Sequence, residues 1–461
     1  MTNYADFLSS KRVDISPSGF PVDKSSLNPQ LCSFQRDLTA WAIERGRAAL
    51  FCDCGLGKTP MQLAWAEQVT RKLNKPVLIL APLAVSKQTE REGKKFGIAV
   101  KVASSDIEVR KHGVYVTNYE KLQHFDPSRF GGVVLDESSI LKSFTGSTRN
   151  LLIEKFSNTP MKLCCTATPA PNDFMELGNH SEFLGVLTRT EMLSTFFVHD
   201  GGDTAKWRLK GHAEEEYWKW ICQWAVMIRK PSDLGYSDKG FDLPPLTLHH
   251  VTVSGKNALE GFLFPVEAQT MQERRDARRG SLQDRVRACA DLVNASTEPW
   301  LVWCDLNAEG ELLEKAIPDS VQVAGADKDE VKESRMLEFS DGAHRVLISK
   351  PSICGFGMNW QHCPNVAYVG LSDSYEKFYQ SLRRAWRFGQ RRPVNCYVIT
   401  CEQEGAVVKN IERKEKDAMR MAQEMVKHMS VYNTEAVHGT VRTGENYRPI
   451  RAMELPEWMQ V

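Results

Sequence analysis

The amino-acid sequence predicts an α/β chain in which two parallel-sheet lobes follow one another, with a helical insert between them. Three observations predict it. Short apolar runs recur between helix-like stretches, and they are continuous rather than alternating, the pattern of strands covered on both faces. This strand–helix series occurs twice and is broken once, as expected of two successive α/β units. The chain has 461 residues, 42% hydrophobic and 25% charged, which is ordinary for a globular protein and long enough for two domains with insertions or three without.

The first series lies in residues 30–180, after an N-terminal extension over 1–29. Its strand candidates are Val77–Ala81, Val114–Thr117, Val133–Asp136 and Leu163–Thr166, and Ala48–Phe51 form a further apolar run. Met61–Leu73 reads as a helix between them, with Leu63, Ala66, Val69 and Leu73 on one face. Residues 181–270 read as the helical insert and linker. No strand-like run is legible from about 181 to 245, and Glu214–Ile228 reads as a Trp-rich helix. The second series occupies 271–402, with strand candidates Trp300–Cys304, Val346–Ser349, Ala367–Leu371 and Cys396–Thr400. Residues 403–461 read as a helix over about Glu404–Met429 and a polar tail.

Composition narrows the function classes. Lys plus Arg number 59 and Asp plus Glu 58, a net charge of +1. That argues against a histone-like coat of charge but leaves room for a basic groove balanced elsewhere. No apolar run approaches the ~20 residues of a membrane span, and the first ten residues carry no secretory pattern. The 12 cysteines show no CxxC pair and sit largely in apolar runs, so buried thiols in a reducing compartment are expected rather than a zinc site.

Two local motifs carry chemistry. The first is Phe51-Cys-Asp-Cys-Gly-Leu-Gly-Lys-Thr59, between an apolar run and a helix candidate. Gly55 and Gly57 let backbone N–H groups close on phosphate oxygens, and the helix start adds its positive dipole end. Lys58 would reach the β- and γ-phosphates and the Thr59 hydroxyl would ligate Mg²⁺. Cys52 stands where the strict phosphate-loop pattern has its first glycine, so the motif alone could also be a Gly-rich turn. The second is Gly131-Gly-Val-Val-Leu-Asp-Glu-Ser-Ser139. A strand ending in adjacent carboxylates can place Asp136 on Mg²⁺ and Glu137 beside an attacking water; by itself it could equally be a strand leaving into a polar loop.

Taken in order, these and further motifs resemble the superfamily 2 helicases, closest to the Swi/Snf-type DNA translocases. Gln35, in Ser33-Phe-Gln-Arg36, matches the family's adenine-reading glutamine. Gly55-Leu-Gly-Lys-Thr59 matches its phosphate loop, with Leu56 among the nucleotide-contacting residues. Ala81-Pro-Leu83, Thr117-Asn-Tyr-Glu120, Asp136-Glu137 and Thr166-Ala-Thr-Pro169 resemble the motifs that follow. Ser352-Ile-Cys-Gly-Phe-Gly-Met-Asn359, which contains Gly357, and Gln380-Ser-Leu-Arg-Arg-Ala-Trp-Arg-Phe-Gly-Gln390 resemble the last two. Ser139 departs from the histidine usual there, and the segment 181–290 is short beside the inserts of chromatin remodellers.

The resemblance implies two RecA-like lobes, an ATP hydrolase using ATP and Mg²⁺, and a motor on duplex or forked DNA. It fits the minimal form carried in the cytoplasm of bacterial or phage-infected cells. Arg384 and Arg387, three apart and expected on one helix face, would stabilise charge on the γ-phosphate from the second lobe; Arg383 is left on a solvated face. DNA contacts, to phosphates rather than bases, are expected from loops at Pro82, Ser86, Thr117, Asn118, Asp305, Asn307 and Ser352. A catalytically weak nucleic-acid clamp and an RNA-dependent ATPase are the alternatives. The arginines between Arg274 and Arg287 read as a solvated helix rather than a phosphate track, and Trp218, Trp220 and Trp224 as core rather than base-stacking residues.

Overall fold

The computed structural model describes residues 15–438, apart from 83–84, 143–145, 171–172, 201–202, 254–270, 355–357 and 373. Both strand series form parallel sheets. The first lobe runs α1 (Ser33–Arg45), β1 (Arg47–Cys52), α2 (Lys58–Leu73), β2 (Val77–Ala81), α3 (Ser86–Lys95), β3 (Val100–Val102), β4 (Val114–Asn118), β5 (Gly132–Asp136), α4 (Ser147–Lys155) and β6 (Met161–Thr166). Strands β1, β2, β5 and β6 are fully or almost fully buried along their length. Helices cover both faces, which is why these strands read as unbroken apolar runs.

The segment after β6 corrects the sequence reading. It begins with α5 (Leu177–Leu184) and α6 (Arg189–Phe196), but then forms an antiparallel hairpin, β7 (Phe197–Asp200) and β8 (Asp203–Leu209). The Trp-rich stretch is not one helix: α7 (Glu214–Cys222) stops, and β9 (Ala225–Ile228) enters the first sheet beside β1. That sheet has seven strands in the order β3-β4-β2-β5-β6-β1-β9. Trp218, Trp220 and Trp224 are at most 2% exposed, packed as core residues.

The second lobe contains β10 (Leu246–Val253), α8 (Met271–Gly280), α9 (Leu282–Asn294), β11 (Trp300–Cys304), α10 (Asn307–Ala316), β12 (Ser320–Val323), α11 (Asp329–Ser340), β13 (Val346–Ser349), α12 (Pro351–Cys354), β14 (Asn365–Val369), α13 (Tyr375–Leu382) and β15 (Val394–Cys401). Its sheet has six strands in the order β10-β15-β14-β11-β13-β12, every pair parallel. Strand β10 lies in the stretch read as linker. The closing helix α14 (Gly405–His438) is longer than expected. It starts in the second lobe's core through Val407 and Ile411 and ends in the first lobe's through Met425, Met429 and Val437.

Two arginines of the basic stretch are not solvated. Arg285 is fully buried, with Nη1 2.7 Å from Glu309 Oε1 and Nε 3.8 Å from Glu404 Oε2. Arg278 pairs with Glu404 and Asp305. Buried charges persist where each finds an opposite charge and hydrogen bonds. Arg279 and Arg287 are exposed, as a solvated face requires. Ten of the twelve cysteines are buried and all are free thiols.

Candidate nucleotide site between the lobes

Strand β1 ends at Cys52 and helix α2 begins at Lys58, so Asp53–Gly57 form a loop held at a helix start. Gly55 and Gly57 have φ of +89° and +81°, values that only glycine adopts without strain. The space is as restrictive as the backbone. A Cβ on Gly57 would lie 2.2 Å from Gln35 Nε2, and one on Gly55 2.8 Å from Phe388 Cβ. Gln35 itself is buried in the loop's support: its Oε1 accepts from Cys32 N at 2.9 Å and its Nε2 donates to Leu56 O at 3.0 Å. Lys58 Nζ donates to Cys52 O at 2.9 Å and to Asp53 O at 3.3 Å. Burial opposes its charge, but nearby Cys54 and Glu137 outweigh that and hold its pKa above the usual lysine value.

The acidic pair closes β5. Asp136 is 7% exposed, and its Oδ1 accepts from Gln62 Nε2 at 2.7 Å. Burial first, and then the charge of Glu137, push its pKa up to about 6. Tyr119 donates to the Asp136 carbonyl at 2.6 Å. Glu137 turns out of the strand with φ of +55°, a left-handed conformation that costs a side-chain-bearing residue on the order of 1 kcal/mol. The turn brings its carboxylate 3.5 Å from Thr166 Oγ1 and 4.0 Å from Arg384 Nη2. Behind it, Ser138 Oγ meets His180 Nε2 at 3.1 Å; burial lowers the His180 pKa to about 4, keeping the ring neutral.

The second lobe supplies the opposite wall, and here the sequence reading needs correction. Helix α13 ends at Leu382, so Arg384 and Arg387 lie in the turns beyond it rather than on one helical face. They still converge, because Arg384 Nη1 and Arg387 Nη1 both donate to Met358 O at 3.4 Å. Burial and the Arg384 charge depress the Arg387 pKa to about 10, and its Nε is buried without a hydrogen-bond partner. Arg383 is not solvated: it is 3% exposed and reaches the first lobe's loop, its Nη2 2.9 Å from Cys54 O and 3.2 Å from Asp53 Oδ1.

Gln35, Gly55, Gly57, Lys58, Thr59, Asp136, Glu137, Arg384 and Arg387 together line a cleft of about 330 Å³. Leu56 is buried beneath the loop, and Gly357 lies outside the described residues. The donor set fits a nucleoside triphosphate with a divalent cation. A glycine loop and a lysine face two carboxylates and a hydroxyl, with an unpartnered guanidinium N–H on the far side. Phe241 and Phe388 stack at 4.6 Å at the cleft's edge.

The residues expected to meet DNA fare unevenly. Ser86, Thr117 and Asn118 are at most 5% exposed, because α3 and β4 fold their side chains inward; Asn118 Oδ1 caps the next turn, accepting from Lys121 N. These three side chains offer no surface contact. Asp305 is paired with Arg278. Asn307 and Ser352 are exposed and Pro82 half-buried. Pro82 and Ser352 line a second, larger cleft between the lobes, about 510 Å³, together with Glu137, Lys332 and Lys377. Glu137 is thus shared by both clefts. The sequence reading missed Gln62, Tyr119, Asp53, Tyr379 and Arg383. Gln62 had a usable signal, since it lies four residues after Lys58 on α2, one helical turn away.

A scan against family models finds none that matches the chain, and a search of curated proteins finds no match.

Proposed function

We propose that the chain is an ATP-driven motor on DNA of the superfamily 2 helicase type, hydrolysing ATP between its two lobes. The observation that carries this reading is the convergence on one cleft of Lys58, Thr59, Asp136 and Glu137 from the first lobe with Arg384 and Arg387 from the second. Bound Mg-ATP supplies the scissile phosphoanhydride and the metal's positive charge. Lys58 and the backbone N–H groups at the start of α2 hold the β- and γ-phosphates. Thr59 and Asp136 would hold the metal. Glu137, turned out of β5, orients the attacking water and takes its proton. Arg384 and Arg387 stabilise the charge that develops on the γ-phosphoryl oxygens, a contribution of ~10³–10⁵ in rate where an arginine is supplied across a cleft. Because the two halves of the site lie on different lobes, hydrolysis changes the contact between them, and that change moves the chain along its track.

The choice of DNA rests on the resemblance of the ordered motifs, above all GLGKT at Gly55–Thr59 and QxxxRxxRxGQ at Gln380–Gln390. Contacts to the track are to phosphates and independent of base sequence, with Pro82, Asn307 and Ser352 the remaining positions from the original set. The test uses two variants. Lys58→Ala and Glu137→Gln should each abolish turnover while leaving DNA binding intact. Full ATPase activity in either variant overturns the assignment of the site.

A further inference from the structure

We propose that Arg383, with Tyr379, is a cross-lobe positioning latch on the phosphate loop, fixing the Asp53–Cys54 segment so that nucleotide affinity depends on the second lobe's grip. The inference rests on the nucleotide reading above and adds a regulation of the same site. Its basis is a set of contacts separate from Arg384 and Arg387. Asp53 Oδ1 accepts from Tyr379 OH at 2.8 Å and lies 3.2 Å from Arg383 Nη2. The same oxygen accepts from Cys54 N at 2.6 Å. Arg383 Nη2 also donates to Cys54 O at 2.9 Å. One carboxylate oxygen therefore ties the loop's own amide to two donors from the other lobe, and one guanidinium nitrogen bonds both the side chain and the backbone of the loop.

The latch is rigid on the second lobe's side. The Arg383 guanidinium packs against the Tyr379 ring at 5.6 Å and the Trp386 ring at 4.9 Å, which holds a long side chain in one rotamer. Trp386 is anchored in turn by its Nε1, which donates to Pro244 O at 2.7 Å. On the first lobe's side, the latched residues immediately precede Gly55, and Lys58 holds the carbonyl oxygens of Cys52 and Asp53. Both sides of the loop's first turn are thus fixed, one by its own lysine and one by the opposite lobe. Arg384 faces Glu137 instead. The second lobe therefore reaches the loop backbone through Arg383 as well as the acidic pair through Arg384.

The experiment is a mutant cycle on the full chain with Asp53→Asn, Arg383→Gln and the double variant, and Arg383→Lys as the conservative change. Each single variant should raise KM for ATP about tenfold, the worth of one charge-assisted hydrogen bond, with a smaller fall in kcat. The double variant should be no worse than either single one, and Arg383→Lys should recover part of the loss. Amide hydrogen exchange of Asp53–Gly57 gives a readout that does not need turnover. Arg383→Gln should speed exchange in the loop while the global unfolding midpoint stays put. Additive losses in the double variant, or unchanged loop exchange, overturn the latch. If the wild-type chain hydrolyses no ATP, the motor reading falls while loop exchange still decides the latch.

Discussion

Asp136→Asn should abolish turnover and at the same time stabilise the first lobe, increasingly so as pH rises. Asp136 is buried beside Glu137, and its pKa rises from 3.8 to about 6 on folding. A folded-state pKa above the unfolded one means that the folded chain holds the proton more tightly. The stability tied to that proton is fully present below pH 3.8 and is lost as pH climbs through about 6. Asparagine carries no charge at any pH and keeps an oxygen for the Gln62 Nε2 hydrogen bond, now 2.7 Å long. It therefore escapes the cost of the buried charge. The linkage relation puts the gain at about 3 kcal/mol near pH 8 and about 1 kcal/mol near pH 4.5. Chemical denaturation followed by a first-lobe tryptophan signal, with a chelator present to exclude metal stabilisation, measures both. A variant less stable than wild type near pH 8, or a gain independent of pH, would refute the reasoning that Asp136 is held at an electrostatic cost for function.

Three further outcomes follow from the same geometry. Gln62→Leu removes the hydrogen bond that favours ionised Asp136; a bond to a charged group is worth about 1.5–3 kcal/mol, so the acid limb of the Mg-ATPase pH profile should move up by about 1–2 pH units, and an unmoved limb contradicts it. Gly57→Ala forces a side chain into a φ of +81° and against Gln35 Nε2, so ATP affinity by calorimetry should fall at least about tenfold. Arg285→Leu leaves Glu309 buried without its charge partner and Glu404 with Arg278 alone, and should destabilise the second lobe by about 3–5 kcal/mol in denaturant melts; a loss below about 1 kcal/mol would mean that the network is relaxed by water.

The parts of the fold that the sequence revealed share one property: their signal is local. Strands β2, β5, β6 and β11 are buried on both faces, so each reads as an unbroken apolar run. Strand β9 was hidden because only Gln223 and Trp224 separate it from α7, and the two together mimic one amphipathic helix. Strand β12 is half-buried at an edge, where the apolar run fades, and the hairpin strands β7 and β8 are short and largely polar. The site divides the same way. Gly55–Thr59 and Asp136-Glu137 are short motifs whose chemistry is written in adjacent residues. Arg383 and Asp53 are far apart in sequence and meet only when the lobes do, and nothing beside Arg383 distinguishes it from a solvated arginine. Arg285 misled for the same reason, since the carboxylates that pair it come from α10 and from the turn before α14. Ser86, Thr117 and Asn118 are buried, and position in a loop or motif does not tell which way a side chain points.

The central claim is that the cleft hydrolyses ATP in response to DNA. Steady-state ATPase activity of the full chain, with no nucleic acid and then with duplex DNA, single-stranded DNA or RNA, tests it most directly. The account predicts hydrolysis strongly stimulated by duplex DNA. Stimulation by RNA alone, or no hydrolysis under any of these conditions, would contradict it.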